Sequence, residues 1–122
     1  MGFIHVKATV AGARGKARIK FLVDSGAMYT LLPEKVWRRL GLRVIKSMAF
    51  ELADGTEVQR GVSECKLTLD GESRHTPVIL GEKGDAALLG IVTLEEFGLV
   101  LNPFKRTFQP MRGMLAKEAG HH

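Results

Sequence analysis

Asp24 is the residue whose type and setting most clearly suggest chemistry, because it stands between a continuous apolar run and a Ser-Gly pair. The apolar residues 21–23 predict a buried strand, and Gly26 permits a tight turn directly after the acid. A carboxylate there is costly to desolvate unless the Ser25 hydroxyl and the N–H groups around Gly26 donate to it. Asp24 is therefore the candidate catalytic residue, with an ordinary Asp-Ser-Gly turn as the alternative.

The other aspartates and the single cysteine have simpler explanations. Asp54 and Asp70 each precede a glycine, which is the signal of a two-residue hairpin turn, and Asp85 lies in a glycine-flanked loop. Asp24 is thus the one aspartate left for acid–base chemistry. Cys65 falls on the apolar side of an alternating segment, which indicates a buried structural thiol rather than a nucleophile.

The histidines and the net charge do not indicate a metal, a cofactor or a nucleic acid. His5 and His75 occupy polar positions far apart in sequence, and His121 and His122 end the chain as a tag remnant would. The net charge is +5, but the basic residues are spread along the chain, with only one Trp and one Tyr for base stacking. A solvated basic surface is the better interpretation.

The length of 122 residues fits one domain, which we place at residues 1–110, followed by a flexible tail at 111–122. No apolar run approaches the ~18 residues that a membrane span requires. The N-terminus lacks the charged and apolar regions of a signal peptide, and a lone cysteine fits a reducing compartment. We therefore expect a cytoplasmic protein without a membrane partner.

Most of the elements that would position Asp24 are strands. Alternating apolar residues predict a first hairpin, with strands at 4–10 and 17–23, that is aimed at the acid. Further strands are predicted at 48–52, 56–60, 65–69, 76–80, 87–90, 99–101 and 106–109.

Two short helices complete the pattern. Residues 33–40 predict a helix closed by Gly41, and Thr93 with Glu96 predicts a capping box for a second helix that ends at Gly98. The fold class is therefore all-β with two short helices, a closed or nearly closed β domain.

Two segments resemble those of the retropepsin-like aspartic proteases. Asp24-Ser25-Gly26-Ala27 fits the active-site pattern apolar-apolar-Asp-Thr/Ser-Gly-Ala, and it leads into Leu31-Leu32-Pro33. Leu88-Leu89-Gly90 resembles the second element of the family, an apolar-apolar-Gly segment ahead of a short helix. The resemblance covers residues 3–110 and implies a closed, barrel-like acid protease domain.

The resemblance implies a homodimeric aspartic endopeptidase. Aspartic proteolysis needs two carboxylates about 3 Å apart that share a proton, one as general base on water and one to polarise the scissile carbonyl. With one such aspartate per chain, Asp24 from each of two copies would meet at a twofold axis. Ser25 would form a hydrogen bond across the axis, and Gly26 would let the two loops approach.

The hairpin around Ala53-Asp54-Gly55-Thr56 stands where the resembled family has its flap, which covers the bound peptide. The residues alone leave an ordinary surface hairpin equally open. Two alternatives to the protease also remain. One is a protease-like peptide-binding module without turnover, against which the intact Asp-Ser-Gly argues, and the other is a basic nucleic-acid-binding β domain, for which no clustered basic face is visible.

The sequence departs from the retroviral pattern at the positions that brace the dimer. Retroviral enzymes follow the Ala with acidic residues and the second element with Arg, and these form ion pairs. Met28-Tyr29 and Ile91-Val92 occupy those places here. A dimer of this chain would therefore be braced by terminal strands or by apolar contacts.

Overall fold

The computed structural model describes residues 4–102 and 107–110. Within these residues, nine strands and two short helices follow one another along the chain. In order they are β1 (His5–Gly12), β2 (Gly15–Val23), β3 (Thr30–Leu32), α1 (Glu34–Arg39), β4 (Lys46–Glu51), β5 (Glu57–Leu69), β6 (Glu72–Leu80), β7 (Leu88–Leu89), α2 (Ile91–Glu96), β8 (Leu99–Asn102) and β9 (Thr107–Pro110).

Seven strands form one sheet in the order β1-β2-β7-β3-β6-β5-β4, and a further pairing of β1 with β5 closes it into a ring. The pairs β2–β7 and β3–β6 are parallel and the others are antiparallel, so the ring is not an even barrel. β8 and β9 form a separate antiparallel pair. The predicted class, all-β with two short helices and a closed sheet, is confirmed.

The core side chains come from strands all round the ring. Burial alternates along β1 and along the second half of β2, as the period of two in the sequence predicts. The fully buried apolar side chains of the sheet are Val10, Phe21, Leu32, Leu67, Val78 and Leu89. Two of these side chains, Phe21 of β2 and Leu89 of β7, lie close to the end of β2, and Asp24 follows directly after that end. The acid is therefore attached to the buried core.

The predicted strands 56–60 and 65–69 are one continuous strand, β5, so their separation was wrong. The first part of β5 pairs with β4 and the rest pairs with β6. Val62 and Ser63 are both buried although they are consecutive, so the buried face of the strand changes there. This break in alternation hid the continuity of the strand from the sequence pattern.

The two predicted two-residue turns have different outcomes. Asp70 and Gly71, both with positive φ, join β5 to β6 directly, as predicted. The Asp54-Gly55 prediction was wrong, because the N–H of Leu52 donates to the carbonyl of Thr56 and leaves a three-residue loop, 53–55. In this loop Asp54 Oδ1 accepts the Thr56 N–H at 2.9 Å, and the loop begins one residue earlier than a two-residue Asp-Gly turn would.

The first helix agrees with the prediction to within one residue at each end. Pro33 precedes α1 with extended backbone, φ −60 and ψ 152, and the chain leaves the helix through Gly41 at φ +72. Trp37 Nε1 donates a hydrogen bond of 2.8 Å to the carbonyl of Gly81, just after β6. The helix is therefore tied to the ring by a side chain as well as by its short connections.

The second helix begins differently from the prediction. α2 starts at Ile91 after Gly90, and no side chain caps it, so the capping box at Thr93 and Glu96 was wrong. Thr93 lies inside the helix with its side chain completely buried. Its hydroxyl bonds to two other strands, which the local pattern could not reveal. The predicted end of the helix at Gly98, with φ +66, is confirmed.

The terminal strands are confirmed as β8 and β9, whereas Pro103 in the predicted turn between them lies outside the described residues. The predicted tail at 111–122 also lies outside them. In the part of the chain that the structure describes, no helix is long and apolar enough to cross a membrane.

Candidate active site

Asp24 begins the loop between β2 and β3, residues 24–29, called the Asp24 loop below. Its Oδ1 accepts the N–H of Gly26 at 2.8 Å, and its carbonyl accepts the N–H of Ala27 at 3.0 Å. Asp24 is partly buried, while Ser25 and Gly26 are exposed. Of the two predicted donors, the backbone N–H is present, and within the described residues no hydrogen bond joins the Ser25 hydroxyl to this carboxylate.

A second segment, β7 and the start of α2, holds the Asp24 loop from behind. The N–H of Asp24 donates to the carbonyl of Leu89 at 3.1 Å. The first N–H groups of a helix have no partner within the helix. In α2 those of Ile91 and Val92 donate to the carbonyls of Ala27 and Met28, both at 2.9 Å. The loop and the helix therefore satisfy each other's backbone groups.

Gly90 lies where these two segments touch. A Cβ at this position would stand 2.4 Å from the carbonyl carbon of Tyr29, so a larger residue would push the segments apart. The N–H of Gly90 donates to Thr30 Oγ1 at 3.1 Å. The structure thus brings Leu89 and Gly90 beside Asp24 and Ala27, while Leu88 pairs with Leu22 and Leu31 on either side of β7.

Three completely buried threonines lie next to this contact, and their hydrogen bonds to one another were not predicted from the sequence. Thr30 Oγ1 lies 2.6 Å from Thr93 Oγ1, and Thr76 Oγ1 lies 2.8 Å from it. Thr30, Thr76 and Thr93 are called the threonine triad below. Of the three, only Thr93 was singled out from the sequence, and its position three residues before a Glu led to the capping-box interpretation.

An open cavity of about 480 Å³ begins at Gly26 and Ala27 and extends away from the Asp24 loop. Asp24 itself stands beside the cavity rather than in its wall. The wall is mainly apolar, and charged groups enter it from Glu51, Arg60 and Asp85. Its main apolar side chains are Met28, Tyr29, Leu31, Phe50, Ile79 and Leu88.

The hairpin of β4 and β5 covers one side of this cavity with its strands rather than with its tip. Leu52 and Val58 line the cavity, whereas the predicted flap residues Ala53, Asp54, Gly55 and Thr56 do not. The apolar residues that alternate along β4 were the signal in the sequence from which the strands, rather than the tip, could have been predicted to line the cavity. The strand residues of the hairpin are therefore the ones that the structure brings closest to the Asp24 loop.

Two aromatic rings connect this hairpin with the Asp24 loop. Tyr29 and Phe50 meet edge to face, with ring centroids 6.3 Å apart and an interplanar angle of 80°. Such a pair contributes about 0.5–1.5 kcal/mol beyond the area that it buries. The position of the hairpin over the cavity is thus stabilised by a residue of the loop.

Two titratable side chains outside the Asp24 loop have pKa values that differ from the ordinary ones. The hydroxyl of Thr56, and then its N–H, hold the pKa of Asp54 below its usual value of 3.8. Burial, with smaller contributions from Glu64 and Glu96, raises the pKa of the Cys65 thiol to about 12. Cys65 is only 3% exposed, so it is a neutral buried thiol, as the sequence predicted. Within the described residues, no group of three or more His, Cys, Asp or Glu side chains could hold a metal ion.

Comparison with known proteins agrees with this architecture. A family model described as aspartyl protease matches residues 6–92. Among solved structures, EIAV protease in complex with the inhibitor HBY-793 has a TM-score of 0.68 at 16% identity, over 83% of this chain and 93% of that one. The solution structure of simian foamy virus (mac) protease has a TM-score of 0.55 at 24% identity, over 75% of this chain and 91% of that one.

At these identities the likeness to the two viral proteases concerns the fold. It confirms the barrel-like acid protease fold that the resemblance implied. No curated protein matches the sequence significantly.

Proposed function

This chain belongs to the aspartyl protease family, and from that premise we propose that it is an endopeptidase that hydrolyses peptide bonds with Asp24. The observation that carries the proposal is the setting of this carboxylate. One of its oxygens is held by the Gly26 N–H at 2.8 Å, beside an apolar cavity, on a loop that is tied to the core from behind. A fixed carboxylate next to a cavity large enough to take a peptide side chain suits attack on a bound peptide.

The proposed reaction needs a second carboxylate, which a second copy of the chain supplies. In the homodimer, one Asp24 is ionised and takes a proton from water, and the other is protonated and donates to the scissile carbonyl oxygen. The water oxygen adds to the carbonyl carbon. The first Asp24 then gives the proton that it took from water to the amine nitrogen as the C–N bond breaks, and the second Asp24 takes a proton back from a hydroxyl of the tetrahedral intermediate. Ser25 and Gly26 are exposed, which leaves the Asp24 loop accessible to its symmetry mate.

The proposed substrate is an extended peptide that lies between the Asp24 loop and the β4–β5 hairpin. One of its side chains enters the cavity of about 480 Å³, whose wall is mainly apolar. The hairpin covers the peptide, and its tip, residues 53–56, serves as the flap. The pair of Tyr29 and Phe50 sets how closely the hairpin approaches the loop.

Cleavage of a denatured protein mixture at acidic and neutral pH tests the proposal. We expect cleavage by the wild type and a loss of about 10²–10⁴-fold in rate for Asp24→Asn, because the change removes the base but keeps the size of the side chain. Asp70→Asn is the matched control, since Asp70 lies in an exposed hairpin turn whose positive φ asparagine also tolerates. Equal cleavage by all three proteins would refute the proposal. Peptide binding without any cleavage would identify a binding module instead.

A further inference from the structure

The threonine triad joins three elements that are far apart in sequence. Thr30 belongs to β3, Thr76 to β6 and Thr93 to α2, and all three side chains are 0% exposed. Thr93 is the centre, because its Oγ1 lies 2.6 Å from the hydroxyl of Thr30 and 2.8 Å from that of Thr76. Removal of this one hydroxyl would therefore take from Thr76 its partner in the triad and leave Thr30 Oγ1 with the Gly90 N–H.

Hydrogen bonds link the triad, through residues 89 and 90, to the main chain of Asp24. Thr30 Oγ1 accepts the N–H of Gly90 at 3.1 Å. The carbonyl of Leu89, the preceding residue, accepts the N–H of Asp24, while the following N–H, of Ile91, donates to the Ala27 carbonyl. Gly90 is thus held between two bonds to the Asp24 loop, and its own N–H is oriented by Thr30.

The space between β3, β6 and α2 is filled by three side chains with hydroxyl groups, although apolar side chains could also fill it. Apolar side chains of the same shape could fill it at nearly equal stability, because a buried hydrogen bond contributes little net free energy once both partners are removed together. A fully satisfied polar network, in contrast, allows only one arrangement of the groups that it joins. Hydrogen bonds have a preferred direction, so they are most useful where a neighbouring group must be oriented. Here they orient the segment of β7 and α2 that contacts the Asp24 loop.

We infer that Thr93 is a positioning residue of this protease, which acts through Thr30 and Gly90 to hold the Asp24 loop in the geometry that lets two carboxylates share a proton. The inference rests on the proposed function. Neither Thr93 nor Thr76 touches the cavity or the carboxylate, so their effect on the reaction is indirect. Displacement of a reacting group by about 1 Å can cost about 10²-fold in rate.

The kinetic test compares Thr93→Val, which keeps the shape but removes the hydroxyl, with Thr93→Ser, which keeps the hydroxyl. We expect Thr93→Val to lower kcat at least about tenfold with less than about a twofold change in KM, and Thr93→Ser to restore most of kcat. Val10→Ala is the control for stability, since Val10 is a buried core residue in β1, whose sheet neighbours are β2 and β5. All proteins are assayed where denaturation curves show them folded. A fall in kcat for Val10→Ala equal to that for Thr93→Val would overturn the inference.

A second test needs no activity and so separates this inference from the proposed function. Amide hydrogen exchange is measured at Asp24 and Gly90, with Thr9 in β1 as the reference. We expect Thr93→Val to accelerate exchange at Asp24 and Gly90 about tenfold or more relative to Thr9, and Thr93→Ser to leave it near the wild-type rate. Uniform acceleration, or none, would overturn the inference even if the wild type cleaves peptides.

Should Thr93→Val fail to fold, Thr76→Val takes its place in both tests. It removes one of the two bonds of Thr93 and leaves the bond between Thr30 and Gly90 intact. The same direction of change, at smaller size, supports the inference. A kcat and an exchange pattern equal to those of Val10→Ala would refute it.

Discussion

The backbone N–H of Ile91 donates a hydrogen bond of 2.9 Å to the carbonyl of Ala27, so α2 begins on the loop that carries the candidate carboxylate. The first N–H groups of a helix normally need a cap from a side chain or from water. Here the Asp24 loop supplies the acceptors, and in return the helix fixes the loop. This exchange explains why α2 starts with no capping side chain.

We expect Asp24→Asn to keep the dimer, or to tighten it, while it slows cleavage by about 10²–10⁴-fold. The reason is that two carboxylates at the axis repel each other when both are ionised, and the amide removes this repulsion. Sedimentation over a concentration series at pH 7 checks the prediction against the wild type and Asp70→Asn. A monomeric Asp24→Asn beside a dimeric wild type would contradict it.

The activity should rise and then fall as the pH increases, because the proposed reaction needs one ionised and one protonated carboxylate. Cleavage should be lost at low pH, where both carboxylates are protonated, and at high pH, where both are ionised. The plot of kcat/KM against pH should therefore be bell-shaped with an acidic or mildly acidic maximum. A flat profile, or inhibition by chelators or thiol reagents, would point to another mechanism.

Met28→Lys should weaken the dimer and its activity at low protein concentration. Met28, in the Asp24 loop, is 63% exposed, and Ile91, at the start of α2, is 37% exposed. The carbonyl of Met28 accepts the N–H of Val92, so these apolar residues lie together where the loop meets the helix. In a dimer braced by apolar contacts, two added ammonium groups would meet at the interface. The dimer should return as the concentration of the variant rises, whereas substrate binding should stay weaker, because Met28 also lines the cavity.

The matched control for Met28→Lys is Ile45→Lys, because Ile45 is similarly exposed, at 68%, but precedes β4. It should leave both the dimer and its activity unchanged. A strictly monomeric wild type that still cleaves peptides would rule out the shared site.

The hairpin offers a test that separates its tip from its strands. Replacement of residues 53–55 by Asn-Gly shortens the tip, and Phe50→Ala removes the ring that contacts Tyr29. If the tip is the flap, the shortened variant should bind a peptide inhibitor much more weakly while it remains folded. Phe50→Ala should raise the inhibitor Kd by about tenfold, because it opens the cavity wall and loses the ring contact. Unchanged affinity of the shortened variant would assign the tip to the scaffold.

The buried Cys65 should make the protein less stable at alkaline pH. Because burial raises the pKa of this thiol from 9.0 to about 12, the thiol is protonated in both folded and unfolded chains below pH 9. Above pH 9 only the unfolded chain loses the proton, so the free energy of unfolding should fall by up to about 1.4 kcal/mol per pH unit until about pH 12. Urea denaturation at pH 7 and pH 10.5 measures this loss, and Cys65→Ala, which lacks the thiol, should show a smaller one. Equal losses for the two proteins would contradict the prediction.

Much of the fold could be predicted from local pattern. The period of two identified the hairpin that leads to Asp24, because a strand that buries one face must alternate. The short strand after the Asp24 loop, β3, was not predicted. Asp70-Gly71 identified its turn, since few residues other than glycine accept positive φ readily. The carboxylate itself was also recognisable, because an acid between a buried strand and a Ser-Gly turn is costly without a purpose.

Only the tertiary structure decided what lies behind and beside that carboxylate. Thr93 looked like a helix cap because its relation to a Glu three residues later is local, whereas its real partners, Thr30 and Thr76, are 63 and 17 residues away in sequence. The cavity wall likewise combines side chains from the loop and from five strands, and no local pattern encodes their meeting. Most of the strands and the acid followed from local pattern, because backbone geometry and desolvation act within a few residues. The arrangement of the site depended on packing between distant segments, which exists only once the ring has closed.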